Sequence, residues 1–186
     1  IHKALALYGE KVDGAQETVD KVVSFVEQRF INDMVLAGFD QQAVDAAVSV
    51  QFDDVNDVIK RIDALTTIKS ESAFPILAAS FKRIRNIIKD NSTDTVTVDY
   101  FEGAEEENLY NVFLKVKSTI QDSLGKKDYP AALHGMLELK EPVDDFFDKV
   151  MVMSEDEKVR QNRLNLLTGI GRLVLQIGDI AKMQEA

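Results

Sequence analysis

"TVDKVVSFVEQRFINDMVLAGF", Thr18 to Phe39, is the stretch that settles the fold class. Val19, Val22, Val23, Val26, Phe30 and Met34 recur at three- and four-residue steps, the period of a helix with one apolar face. Gly38 stands where a left-handed helix stop is expected. The spacing therefore predicts a long helix with one face in a core. The same period continues downstream. Asp40 is placed to cap a short helix through Val48, and Asp53 to cap another whose buried stripe is Val55, Val58, Ile59, Ile62 and Leu65.

Further helices are predicted from Ala73 to about Lys89, with Pro75 in the first turn, and then at Ala104–Leu124, Pro130–Leu139 and Pro142–Met153. Ser154 and Glu157 read as a capping box for a last helix running on to Met183, with Gly169, Gly171 and Gly178 inside it. Those glycines imply close approach by a neighbouring helix or a bend. Only "TVTVDYF" alternates like a strand, and it is too short to found a sheet, so it reads as an extended connector. The sum is an all-α, multi-helix bundle of eight or nine helices with short loops and that one connector.

Composition narrows the function. The chain has 186 residues, close to the usual size of one domain, and no cysteine, which excludes disulfides, thiolate zinc sites, iron–sulfur centres and a Cys nucleophile. No apolar run approaches the ~20 residues that cross a bilayer, and "IHKALALYGEK" lacks a signal-peptide pattern, so no membrane association and a cytoplasmic location are expected. A first residue of Ile is what an excised piece of a longer polypeptide would show. His2 and His134 fall in no ligand-like or triad-like spacing, and neither Glu-x-x-His pairs nor glycine-rich phosphate loops occur. The sequence assigns no catalytic residue, no metal ligand and no cofactor to this region.

The net charge of −10 argues against nucleic acid as a partner, but phosphates respond to the field within about 10 Å, so distribution outweighs the sum. Thr93 to Glu107 carries six acids and no base, whereas "FKRIRNIIK", Phe81 to Lys89, carries four bases and no acid. On that helix Lys82, Arg85, Asn86 and Lys89 fall at i, i+3, i+4 and i+7, opposite the isoleucine stripe, with Arg83 to one side. Such a face can hold phosphates; a plain solvated face is the alternative. Arg160 and Arg163 lie one turn apart beside Asn162, residue types suited to unstacked bases. Spacing alone equally accommodates arginines bridging to Asp156 or to acids on a neighbouring helix.

"PVDDFFDKVMVMSEDEKVRQNRLNLLTGIGRLVLQIGDIAKMQ", Pro142 to Gln184, resembles the C-terminal end of the β subunit of bacterial tetrameric glycyl-tRNA synthetases. "FVEQRFINDMVLAGFDQQAVDAAV" and "AASFKRIRNIIK" are similar to upstream segments of that family, so the likeness covers nearly the whole chain. Glu157-Lys158-Val159-Arg160 sits where the Asp-Ala-Leu-Arg (DALR) motif of the related arginyl enzymes falls, keeping its acid and its arginine. Phe81 replaces a polar Asn that many relatives carry.

The resemblance implies one all-helical anticodon-binding region over 1–186, with N-terminal helices over 1–72 and a DALR-like core over 73–186. It implies recognition of glycine tRNA for aminoacylation carried out with a catalytic α subunit in a heterotetramer of two α and two β subunits. The whole enzyme would use ATP and magnesium; this region would hold neither. Lys82, Arg83, Arg85, Asn86 and Lys89 would then face phosphates, and Arg160, Asn162 and Arg163 would lie on a helix presented to the tRNA. An arginyl-tRNA synthetase domain and a non-catalytic helical interaction module are the alternatives.

Overall fold

The computed structural model describes residues 15–184, so His2 and the N-terminal stretch lie outside the described residues. Among these residues the chain is all-α, with eight α-helices: α1 Ala15–Leu36, α2 Gln41–Val48, α3 Val55–Lys69, α4 Phe74–Ile87, α5 Ala104–Gly125, α6 Tyr129–Met136, α7 Lys140–Lys149 and α8 Glu157–Val174. No strand occurs among the described residues. The 3-10 turn Leu137–Leu139 joins α6 to α7 without a loop, so the separate helical bodies number seven, slightly fewer than the sequence suggests. Two lone 3-10 turns, Val98–Tyr100 and Ile180–Met183, complete the structure.

Local chemistry explains most boundaries. The α1 terminus carries the paired bonds of a Schellman stop, Gly38 N to Val35 O at 3.0 Å and Phe39 N to Met34 O at 3.1 Å, with Gly38 at φ 96°. Asp40 caps α2 as expected, accepting from Ala43 N at 2.9 Å. At α3 the cap is Asp54, one residue later than expected. It takes the N–H groups of Asn56 and Asp57, while Asp53 accepts instead from the Gln51 amide. At α8 the cap is Asp156 rather than Ser154, accepting from Lys158 N at 2.8 Å and Val159 N at 3.2 Å; the Ser154 carbonyl is taken by Arg160.

Two expectations about helix faces are revised. α1 packs on the core through its C-terminal half, Phe30, Ile31, Met34 and Val35, with a Phe30–Phe52 ring contact at 5.1 Å, and Val19 near its start is buried as expected. Val22, Val23 and Val26 stay exposed, because a 22-residue helix is about 33 Å long and overruns α2. The last helix stops at Val174 instead of Met183. Past it, Asp179 N bonds to Ala46 O at 2.9 Å, and a Cβ on Gly178 would stand 2.7 Å from Leu65 Cδ1 and 3.3 Å from the Ala46 carbonyl. Docking of this segment onto the end of α2 ends the helix. Gly169 and Gly171 do admit close neighbours, the Phe113 ring of α5 and Ile88 after α4.

One core joins all these elements. α5 packs on α6, α7 and α8; α4 lies against α7, α8 and the Ile180–Met183 turn; and α2 and α3 pack on each other. Phe81, Leu109, Ile120, Leu133 and Phe146 are among its fully buried apolar groups. Arg61 of α3, only 1% exposed, is buried among them with every nitrogen bonded: Asp57 at 3.0 Å, the Ala47 and Ile177 carbonyls at 2.7 and 3.2 Å, and the Gln51 carbonyl at 2.7 Å. A buried guanidinium is tolerated only when its charge and donors are met in this way.

Candidate nucleic-acid interface

Burial of Leu77, Phe81 and Ile84 fixes which way α4 faces. Lys82, Arg85, Asn86 and Lys89 are thereby turned to solvent, where they form one wall of a groove of about 340 Å³. The opposite wall is Asp179, Ala181 and Lys182 of the C-terminal turn. Lys182 completes a set of four cations against one carboxylate in an otherwise acidic chain. Lys182 is not legible as a member from the sequence, where a continuous last helix carries it away from α4; the break after Val174 is what returns it.

Asp179 organises the groove. It is 6% exposed, and its Oδ2 accepts from Arg85 Nη2 at 3.2 Å, holding the guanidinium across the floor. Arg83 does not join this set. Its guanidinium stacks on the Phe147 ring, 4.1 Å from the centroid, and its Nη2 reaches the Phe147 carbonyl at 3.5 Å. There it lines a separate concavity with Met151 and Met153, so the structure divides the five residues expected on α4 into a group of four and one apart.

The second expected cluster is also divided. Arg160 is half-buried and donates to the Ser154 carbonyl at 2.9 Å. Asn162 is 3% exposed and clamps the backbone of Thr97, accepting from its N–H at 2.8 Å and donating to its carbonyl at 3.0 Å. Arg163 is buried. It meets Glu106 of α5 in a bidentate pair at 2.9 and 3.1 Å, Glu102 at 2.8 Å and the Met151 carbonyl at 3.0 Å. Its hydrogen bonds to Glu106 raise its pKa further above the ordinary arginine value, against the effect of burial. Asn162 ties the connector to α8, and Arg163 ties α5 to it through an acid on a neighbouring helix, the bridging alternative. Asn165 extends the clamp by donating to the Thr95 carbonyl at 2.6 Å.

A third polar centre is structural. Tyr129 donates to Asp57 at 2.6 Å, and Lys127 lies 2.9 Å from the same carboxylate. Burial alone would raise Asp57, but the bonds from Tyr129 and Lys127 and the Arg61 charge carry it below the usual carboxylate range. Burial and the Asp57 bond push Tyr129 up to about 12.

A helical bundle with one cationic groove on an acidic body has the make-up of a helical nucleic-acid-binding module. The comparison with known proteins agrees: the DALR anticodon binding domain matches residues 77–181, more than half of the chain, and the chain belongs to that family. It is 41% identical over 167 residues to the glycine–tRNA ligase beta subunit of Geobacter sp. (strain M21), a match covering 90% of this chain and 24% of that protein. The beta subunits of Geotalea uraniireducens and Syntrophus aciditrophicus are 41% and 34% identical, each match covering 98% of this chain and 27% of theirs. The chain thus spans about a quarter of the length of the curated relatives it matches.

Proposed function

We propose that this chain is the anticodon-binding region of a glycyl-tRNA synthetase β subunit, recognising glycine tRNA for aminoacylation carried out with the catalytic α subunit. The β subunit would act in the cytoplasm, in a heterotetramer of two α and two β chains. ATP and magnesium would serve the whole enzyme and not this region. The observation that carries the reading is the groove of Lys82, Arg85, Asn86, Lys89 and Lys182, which concentrates four cations in a chain of net charge −10. The relatives reported above are glycyl enzymes, which favours glycine over arginine as the cognate amino acid.

In this reading Lys82, Lys89 and Lys182 hold backbone phosphates. Rather than touching bases, Asn162 and Arg163 keep α5, α8 and the connector in register behind the interface, and Arg160 ties the start of α8 to Ser154. The test is filter binding of glycine tRNA to the full-length β subunit assembled with α, across a salt series. Lys82→Ala with Lys89→Ala should weaken wild-type and altered-anticodon transcripts alike and lower the salt slope by about one to two, at roughly 0.7 to 0.9 per lost phosphate contact. Unchanged affinity and slope would remove the groove from the interface.

A further inference from the structure

Asp179 is out of place in a groove that only holds phosphate. A carboxylate on the floor repels a phosphate oxygen and can accept only from a donor. Its other oxygen, Oδ1, is buried and has no hydrogen-bond partner among the described residues, an arrangement native proteins seldom leave standing. Nor does the side chain do what its position offers. Asp179 is the residue before the Ile180–Met183 turn, yet it makes no capping bond there and instead turns toward α4. Oδ1 has no exposed surface in this state, so a ligand must displace side chains to reach it; Arg85 and Lys182, long and solvent-exposed, are the groove neighbours able to move.

Resting on the reading above, we infer that the groove takes an unstacked nucleobase bearing an exocyclic amino group, with Asp179 Oδ1 accepting from that amino group. Arg85 and Asn86 are placed to supply donors to the ring acceptors beside it. Cytosine fits: its amino group meets the carboxylate, and its adjacent ring nitrogen and carbonyl are acceptors. Uracil carries a carbonyl in place of the amino group, so it would face the carboxylate oxygen with a second acceptor and leave both unsatisfied. Glycine codons begin with two guanines, so two anticodon positions of every glycine tRNA are cytosine. Asp179 would read one of them.

Two arms test this with the full-length β subunit assembled with α. In the first, wild-type protein is titrated with glycine tRNAs assembled to carry, at each of the two positions in turn, cytosine, uracil, a cytosine analogue lacking only the 4-amino group, or 2′-deoxycytidine. At one position uracil and the deamino analogue should each cost about tenfold or more in affinity, and the 2′-deoxy change little. An unchanged affinity for the deamino analogue at both positions overturns the assignment, as does a loss confined to the 2′-deoxy tRNA, which would make a ribose hydroxyl the donor.

In the second arm, Asp179→Asn, whose amide can donate to a carbonyl, should abolish or invert the cytosine-over-uracil preference at that position alone. A uniform loss across all anticodons would reduce Asp179 to a positioner of Arg85 and also overturn the proposal. Should the variant fail to fold, the first arm stands alone. The Lys82 and Lys89 variants fail independently if the groove is not the RNA site at all.

Discussion

Replacing Arg163 by Ala separates a scaffold role from a reading role. The side chain is buried and its charge is matched by Glu106, which is 1% exposed. Removing one partner of a buried pair typically costs 3 to 5 kcal/mol, because the other charge stays in a poorly solvated site. Glu106 would retain two partners, the N–H groups of Glu102 and Gly103 at 2.9 and 3.1 Å, so the loss should fall near the low end, about 3 kcal/mol. For a chain of this length, 1 kcal/mol moves Tm by roughly 2 to 4 °C, giving a drop of about 6 to 12 °C.

The comparison is Arg160→Ala, which loses one bond to a backbone carbonyl at the half-buried start of α8 and should cost about 1 kcal/mol. Thermal unfolding followed by circular dichroism gives both values. Binding of glycine tRNA with normal and altered anticodons, measured below both transitions, gives the functional arm. Arg163→Ala should lower Tm and leave anticodon preference intact. If Tm stays within 2 °C of the parent while the preference is lost, the arginine reads RNA and the scaffold argument is wrong.

Other perturbations have equally definite signs. Tyr129 is pushed up to about 12, so its contribution to stability is complete below pH 10 and lost as pH rises from 10 to 12. In chemical denaturation across that range, Tyr129→Phe should show a flatter alkaline limb than the parent, and matching limbs would refute the assignment. Asp57 lies below its ordinary value of 3.8, so its contribution is present above that pH and fades as acid takes it through the lower folded value. Gly178→Ala should destabilise by about 1 to 3 kcal/mol, since the new methyl meets Leu65 and the Ala46 backbone; a neutral result in urea titration would show that α2 can yield. Arg61→Lys should cost more, about 3 kcal/mol, because an ammonium cannot span the Ala47, Gln51 and Ile177 carbonyls together; equal urea midpoints would refute it.

What the sequence makes legible follows the range of the forces involved. Helix periods, the Gly38 stop and the Asp40 cap depend on neighbours a few residues away, and the structure keeps them. Where two acids or a Ser compete for one cap, as at Asp53 and Asp54 or at Ser154 and Asp156, the winner depends on the chain's entry angle, which tertiary packing sets. The outward face of α4 was legible because its isoleucines and Phe81 have only one core to enter. Arg163 was ambiguous for the converse reason: an i, i+3 pair does not say whether a neighbouring helix brings an acid to it, and Glu106 arrives from a segment 57 residues away. Lys182 could have been suspected only from Gly178, the signal in the sequence for a break near that point of the last helix.

The N-terminal helices, although they precede the 77–181 match to the family, help to build the groove. One wall of it is α4, a regular helix set by its own apolar stripe. The other wall is a short irregular segment that cannot hold its shape alone, since a 3-10 turn of four residues has few and poorly aligned internal hydrogen bonds. Its anchors come from the N-terminal side: Arg61 holds the Ile177 carbonyl, Ala46 O accepts from Asp179 N, and Leu65 closes over Gly178. Asp179 in turn fixes Arg85. The chain of contacts runs from α2 and α3 to the guanidinium in the groove, so Arg61 bears on the groove without approaching it. A substitution there should weaken tRNA binding together with folding stability, whereas Lys89→Ala should weaken binding alone.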